Sequence, residues 1–376
     1  MINREIQSSI ESKLFKSKLI IIYGARQVGK TTLLKKIGEK FEGQSIYINC
    51  DEPDIRELLT DVTSTQLKNL VGNKKLVLID EAQRVKNIGI TLKLFVDQIK
   101  EVQVIATGSS AFELSNIINE PLTGRKYEYH LYPISIRELN QNLSWLEVNR
   151  LLEERIIYGM YPEVILNPSE KKPLLKEITR SYLFKDILSY EGIRKPEILE
   201  KLLIALAAQI GSEVSYNELA NTVGIDKDTI TKYIDILEKA FIVFRLPPFS
   251  KNLRTEITKM RKIYFYDTGI RNALITNFNN LQSRNDKGSL WENFMISEKL
   301  KMNKAIGIDA KSFFWRTSQQ QEIDYIEDID GNLHTYEFTF NEKKKKQISK
   351  TFLNAYKTMS ETIVNNKNYG SFLGIE

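Results

Sequence analysis

The sequence predicts an α/β protein: a parallel sheet at the N-terminus, a helical connector, a winged helix-turn-helix and a C-terminal α/β domain. Three observations predict it. Leu19 to Tyr23 is a short apolar run, followed at once by a glycine loop and then by Leu33, Leu34 and Ile37 at helical spacing. Leu76 to Ile79 is a second apolar run, and it ends in two carboxylates, Asp80 and Glu81. Residues 199–246 read as helix, turn with Gly224, helix and strand.

The first strand carries the strongest motif. Gly24, Gly29, Lys30 and Thr31 fill every fixed place of the phosphate-binding pattern G-x-x-x-x-G-K-[ST], in its required context of strand, loop and helix. Glycines let the backbone N–H groups approach an anion closely, and the following helix points its positive end at that anion. The candidate nucleotide-binding residues are therefore Gly24, Ala25, Arg26, Gln27, Val28, Gly29, Lys30, Thr31 and Thr32. Lys30 is placed to bridge the β- and γ-phosphates of ATP, and Thr31 to offer its hydroxyl to Mg²⁺.

Composition narrows the class. A chain of 376 residues is too long for one ordinary core, so two or three domains are expected. The net charge of +6 permits nucleic-acid contact without demanding it, because the basic residues are spread along the chain. One cysteine, Cys50, excludes an intrachain disulfide framework and a multi-cysteine zinc site, and two histidines, His130 and His334, exclude a histidine-rich metal site. No apolar run approaches membrane-spanning length and no signal-peptide pattern opens the chain, so the expected location is cytoplasmic, with no membrane partner.

The remaining N-terminal residues complete a nucleotide site. Residues 2–17 carry Ile6, Ile10, Leu14 and Phe15 at helical spacing, and residues 44–50 alternate as a second strand. At the end of the third strand, Asp80 is assigned to support Mg²⁺ through water and Glu81 to take a proton from the attacking water. Residues 102–110 form another apolar strand ending in small hydroxyl residues. One of Thr107, Ser109 and Ser110 can sense the γ-phosphate or cap a helix there, and spacing does not decide between them. Arg125, before the alternating strand 127–132, is a candidate stabiliser of phosphoryl charge, acting in cis or from a neighbouring subunit. Arg26 is a second cationic candidate.

Four strings now stand in order: Y-G-A-R-Q-V-G-K-T-T-L-L, L-I-D-E-A-Q-R, A-T-G-S-S and L-T-G-R…Y-P-I-S. Together they resemble the AAA-type ATPases of bacteria and archaea, of the archaeal-ATPase group, that carry a C-terminal domain of unknown function. The resemblance covers essentially the whole chain. It implies an AAA-like P-loop NTPase core, a winged helix and a restriction-endonuclease-like C-terminal fold.

The boundaries expected on this basis are an ATPase core over 1–134, a helical lid or connector over 135–198, a winged helix-turn-helix over 199–270 and a nuclease-like domain over 280–376. In the connector, Arg180, Tyr182 and Asp186 share one helix, and Arg180 is a weak candidate for nucleotide sensing. In the winged helix, Ser215 with Glu218 three residues on signals a helix start. The Lys227–Lys232 face suits a DNA major groove, but Asp226, Asp228 and Asp235 oppose phosphate approach, which equally suits a protein-binding module. In the last segment, Glu292, Asp324 and Glu337 match the carboxylates of a PD-(D/E)xK nuclease and form a speculative second metal site. Thr339 stands where that pattern requires lysine, so a degenerate nuclease fold is expected, with the lysine run Lys343–Lys346 further along.

The expected function is Mg²⁺-dependent binding and hydrolysis of ATP, acting as a switch or motor on the C-terminal modules. The alternatives are an ATP-gated binder of double-stranded DNA and a metal-dependent DNA nuclease with an ATPase regulator. The partners expected are ATP and either duplex DNA or a protein. The oligomeric state, which decides whether Arg125 meets its own or a neighbour's nucleotide, is left open.

Overall fold

A computed structural model describes residues 2–109, 122–180, 196–250, 260–343 and 346–375. The chain divides into two compact units, one of residues 1–133 with 239–241 and one of residues 134–238 with 242–376.

The first unit is built on five parallel strands: β1 (Leu19–Tyr23), β2 (Ser45–Asn49), β3 (Leu76–Asp80), β4 (Gln103–Gly108) and β5 (Lys126–His130). Their order across the sheet is β2-β3-β4-β1-β5, and every neighbouring pair runs parallel. The sequence pattern follows from this order. β1, β3 and β4 are interior strands, buried along their whole length, and each carries a run of three or more consecutive apolar residues. β2 lies at the edge and is largely half-buried, so its apolar residues alternate with polar ones. Helices α1 (Ile6–Ser12), α2 (Lys30–Glu39), α3 (Pro53–Leu59), α4 (Ser64–Val71) and α5 (Ile88–Gln98) supply the connections. α4 starts at a reciprocal capping box between Thr63 and Gln66. Because all five strands point one way, the C-terminal ends of β1, β3 and β4 share one edge of the sheet, where ligands of open α/β folds bind.

The second unit combines what the sequence separates into three segments. Its described helices include Ile136–Asn140, Trp145–Tyr158, Lys171–Ile178, Pro196–Ala208, Tyr216–Val223, Lys227–Lys239, Thr268–Leu274 and Lys287–Ile306. A small antiparallel sheet has the order β6-β8-β7, from β6 (Glu213–Val214), β7 (Val243–Leu246) and β8 (Arg261–Phe265). A four-stranded sheet has the order β12-β11-β10-β9, from β9 (Lys311–Arg316), β10 (Glu322–Ile329), β11 (Asn332–Phe338) and β12 (Thr358–Val364). This sheet is mixed: β9, β10 and β11 are antiparallel neighbours, and β12 joins β11 in parallel.

Specific bonds tie these segments together. Beyond β7 the chain runs on beside β9: Phe249 N donates to Phe314 O at 2.6 Å, and Phe314 N donates to Pro247 O at 3.0 Å. Ile136 N donates to Glu298 at 2.6 Å, and Met160 N donates to Asp267 at 2.6 Å. The longest helix of residues 136–178, Trp145–Tyr158, is tied to a later part of the chain, where Asn272 Nδ2 donates to Ile157 O at 2.8 Å. Phe313, Trp315, Ile323, Ile326, Ile348 and Phe352 form an aromatic-rich cluster under the mixed sheet. Among the described residues, no helix is long and apolar enough to cross a membrane.

Candidate functional site

The phosphate loop leaves β1 at Gly24. A side chain there is excluded sterically: a Cβ on Gly24 would lie 2.2 Å from the Leu131 carbonyl oxygen. Gly29 has φ +97°, left-handed backbone that glycine alone adopts without strain, and it starts α2 without any capping side chain. The first turn of α2 carries no acidic residue. Its leading N–H groups are thus left for an anion, with the helix dipole in support.

Lys30 is buried, and its Nζ donates to the carbonyls of Gly24 and Ala25 at 3.0 Å each. It also lies 3.7 Å from Glu81 Oε1. Burial lowers its pKa, against the opposing pull of Glu81 and Asp80, and the nearby positive charge of Arg26 lowers it further. Arg4 fastens the loop from outside, donating to Val28 O at 2.6 Å and to Tyr132 O. Ala25 and Val28 are buried, whereas Gln27 and Thr32 are exposed.

Asp80 is the hub of the site. Its Oδ2 accepts from the Thr31 hydroxyl at 2.6 Å and from the Tyr47 hydroxyl at 2.7 Å, and its Oδ1 accepts from Thr107 at 2.5 Å. Burial, together with the charge of Asp80, raises the pKa of Tyr47 and keeps it a donor. The start of α2, the middle of β2 and the ends of β3 and β4 therefore meet on one carboxylate.

Glu81 leaves β3 with φ +52°, a left-handed conformation uncommon for a non-glycine residue and concentrated at functional sites. Its N–H donates to Thr107 Oγ1 at 3.1 Å. Gln83 Nε2 donates both to Glu81 Oε2 at 2.5 Å and to Ser109 Oγ at 2.7 Å. Of the three hydroxyl candidates after β4, Thr107 thus bonds Asp80 and the Glu81 backbone, and Ser109 bonds Gln83. Ser110 lies outside the described residues.

Arg125 is placed elsewhere. It precedes β5, and the parallel register sets Lys126 beside Leu19 and His130 beside Tyr23. Four residues of strand, roughly 13 Å at about 3.3 Å per residue, separate this end of the sheet from the phosphate loop. The Arg125 guanidinium is engaged there by Asp97 at 2.9 Å. The expectation that Arg125 stabilises charge at its own nucleotide is therefore corrected: it sits at the wrong end of a parallel strand. Arg180 is exposed, and Tyr182 and Asp186 lie outside the described residues.

Sequence reasoning missed Arg4, Tyr47 and Gln83. Gln83 stands two places after Glu81 and was legible as part of the same string. Tyr47 had a signal only once β2 was known to neighbour β3. Arg4 had none, because its contact spans 24 residues to Val28 and 128 to Tyr132.

In the second unit, Asp324 lies close enough to act on both Glu292 and Glu337, but among the described residues no group of three acidic, histidine or cysteine side chains is placed to hold a metal ion, so the expected second metal site is not assembled. Glu292 is on the Lys287–Ile306 helix, Asp324 on β10 and Glu337 on β11. Burial raises the pKa of both Glu292 and Glu337, and the neighbouring charge of Asp324 adds to each. Lysines answer them. Lys262 Nζ contacts Glu292 at 3.0 Å and Glu322 at 2.5 Å. Lys346 Nζ contacts Asp324 at 2.6 Å and Glu337 at 2.8 Å. Thr339 turns its hydroxyl to Asn341 O at 3.1 Å, so the lysine beside this pair is Lys346. On the Lys227–Lys239 helix, Lys227, Asp228 and Lys232 are exposed, Asp226 caps the helix through Thr229 N, and Asp235 pairs with Arg245 at 2.6 Å.

The five-stranded parallel sheet, with its loop after β1 and its acidic end on β3, defines a P-loop NTPase fold. Residues 16–140 match the AAA domain, residues 149–282 match the domain of unknown function DUF8612, and residues 287–371 match the domain of unknown function DUF4143. The chain thus combines a segment similar to an AAA domain, on a P-loop fold, with a C-terminal segment similar to DUF4143. An uncharacterized protein of Methanocaldococcus jannaschii is 28% identical over 391 residues, spanning 96% of this chain and 84% of its own. An uncharacterized protein of Mycobacterium tuberculosis is 25% identical over 342 residues, spanning 89% and 73%. The Walker-type ATPase of Pyrococcus abyssi shares the fold, with a TM-score of 0.52 at 17% identity over 73% of this chain and 96% of its own.

Proposed function

We propose that this protein binds Mg²⁺-ATP on its first unit and hydrolyses it, and that the nucleotide state acts as a switch on the second unit. The observation that carries this reading is the Asp80 hub. The Thr31 hydroxyl bonds Asp80 at the end of β3, and the buried Lys30 lies within ion-pairing reach of the adjoining Glu81.

The donor set suits the metal. Thr31 and Asp80 offer only hard oxygen ligands, which Mg²⁺ prefers, and Mg²⁺ when bound neutralises charge developing on the phosphates. The chain's own residues do the rest. The N–H groups of residues 29–32 hold phosphate oxygens at the start of α2. Lys30 exchanges its carbonyl partners for phosphate oxygens. Tyr47 and Thr107 keep Asp80 oriented. Glu81 accepts the proton of the attacking water. Arg125 is left out of the chemistry at its own nucleotide.

The test is Mg²⁺-dependent ATP turnover by wild type, Lys30→Ala and Glu81→Gln, with and without duplex DNA. Turnover lost in both variants supports the reading, and turnover equal in all three sinks it. A rise with DNA would assign the helix pair of residues 216–239 and the small sheet a winged-helix role on duplex. Indifference to DNA would favour a protein partner.

A second reading, metal-dependent DNA cleavage by the second unit, has one observation in its favour: Lys346 contacts Asp324 and Glu337. Cleavage that requires Mg²⁺ or Mn²⁺ and disappears in Glu337→Ala would support it, and intact DNA under those conditions would exclude it.

A further inference from the structure

We infer that Gln83 orients the attacking water at the nucleotide site and is the positioning partner of Glu81. The inference rests on the nucleotide reading above and adds to it a residue that the motifs leave unassigned.

Gln83 lies in the single tight turn Ala82–Arg84 that follows Glu81. Its amide bridges the two strand ends, reaching Glu81 Oε2 from β3 and Ser109 Oγ from β4. The amide nitrogen is the atom that faces both acceptors, the Glu81 carboxylate oxygen and the Ser109 hydroxyl oxygen. Its two hydrogens are then both spent, one on Glu81 and one on Ser109. The other amide atom, Oε1, is buried and has no partner among the described residues.

A buried acceptor without a donor is costly by about 1–3 kcal/mol, and native proteins keep such atoms where a water or ligand completes them. Here the missing donor would lie beside the carboxylate assigned to take a proton from water. Glu81 itself is pinned at both oxygens, by Lys30 on Oε1 and Gln83 on Oε2. A water that donates one hydrogen to Glu81 and the other to Gln83 Oε1 has two fixed contacts. Its lone pair is then directed instead of free to rotate.

The step balances as ordinary hydrolysis. The water oxygen bonds to the γ-phosphorus while the bond from that phosphorus to the bridging oxygen of ADP breaks, and the electron pair leaves on ADP. One water proton passes to Glu81, and the other stays on the oxygen that becomes part of the phosphate, held by Gln83 until release.

The decisive variant is Gln83→Met, which keeps the side-chain length and removes both donors and the acceptor. Three quantities are read: kcat, equilibrium binding of a fluorescent ATP analogue, and binding of ADP with aluminium fluoride, which mimics the transferring group together with the in-line water. The expected result is a fall in kcat of about 100-fold, the range for losing the positioning of a reacting group. ATP binding stays within about threefold, and the ADP–aluminium fluoride complex weakens at least about tenfold, as befits a contact made only in the transition state. A kcat within about threefold of wild type, or an equal loss for ATP and for the fluoride complex, overturns the inference. If Gln83→Met does not fold, Gln83→Ala is read by the same three criteria. A wild type that binds no ATP overturns the nucleotide reading and this inference together. A wild type that turns over, with Gln83→Met doing the same, overturns this inference alone.

Discussion

Replacing Gly24 with alanine puts a methyl group where the fold already has a carbonyl oxygen. The added carbon would sit 2.2 Å from Leu131 O, 3.1 Å from Leu131 C and 3.2 Å from Val28 Cγ2. Carbon approaches a carbonyl oxygen no closer than about 3.3 Å in ordinary contacts, so roughly 1 Å of movement is needed. None of the neighbours gives easily. Leu131 is backbone, held by its own N–H to Tyr23 O at 2.7 Å, and Val28 is buried inside the loop. Overpacking of this kind costs about 1–3 kcal/mol, and rigid backbone on both sides argues for the upper half. At about 3 °C per kcal/mol for a unit of this size, the first unit should melt about 6–9 °C lower. The same displacement moves the loop's N–H groups off the phosphates and should weaken ATP binding at least about tenfold. Gly288→Ala is the control, because its Cβ meets nothing within 4 Å, and it should leave both readings unchanged or add up to about 1 kcal/mol. Calorimetry and a fluorescent-nucleotide titration measure the two effects. A Gly24→Ala protein with a melting temperature within about 1 °C of wild type and unaltered ATP affinity would refute the packing argument.

Three further predictions follow from particular contacts. Arg125→Ala should leave ATP turnover within about twofold, because its exposed pair with Asp97 contributes no more than about 1 kcal/mol and lies far from the loop; a fall beyond about tenfold in a steady-state assay would place Arg125 at a neighbouring subunit's nucleotide. Lys262→Met should lower the stability of the second unit by about 3–5 kcal/mol in urea denaturation, since it strands the buried Glu292 beside Asp324 and Glu322, and a cost under about 1 kcal/mol would contradict the ion-pair assignment. Burial alone would raise the pKa of Asp286, but Arg284 and Arg271 outweigh it and hold the carboxyl down to about 2. A depressed carboxyl stabilises above its unfolded value near 3.9 and stops doing so as pH falls through about 2, so Asp286→Asn should cost about 2 kcal/mol at neutral pH, after discounting for solvent screening, and the gap to wild type should close between about pH 4 and 2. A gap that persists unchanged at pH 2 would be inconsistent with that linkage.

Much of the first unit was legible in the sequence because its signals are local. A buried parallel strand announces itself as an apolar run, and the phosphate loop is defined by glycines at fixed spacing. Asp80 ends β3 and Glu81 follows it, so their place at the sheet edge needed no tertiary information. Arg125 shows where local reading stops. A basic residue after L-T-G reads as a charge stabiliser, but only the parallel register of β5 on β1 reveals which end of the sheet it occupies. Tyr47 depended on the same kind of information, because β2 neighbours β3 through a crossover that residue spacing does not encode.

The second unit was legible as elements but not as an assembly. The helix pair around the turn at Gly224, the strands β7 to β11 and the helix before β9 were readable from local pattern, whereas β12 and the Thr268–Leu274 helix were not. Their merger into one unit rests on contacts of long sequence separation, such as Ile136 with Glu298 and Met160 with Asp267. Lys346 makes the same point at shorter range. The sequence places threonine where the nuclease pattern has lysine, and the chain returns a lysine to the Asp324–Glu337 pair seven residues later.

The most direct measurement is equilibrium binding of ATP with and without Mg²⁺ to wild type, Lys30→Ala and Glu81→Gln. The account predicts saturable, Mg²⁺-strengthened binding by the wild type, retention of that binding in Glu81→Gln, which lacks only the proton acceptor, and its loss by at least about tenfold in Lys30→Ala. Binding that is absent from the wild type, or that is unchanged when Lys30 is removed, would contradict the claim that the loop after β1 holds a nucleotide.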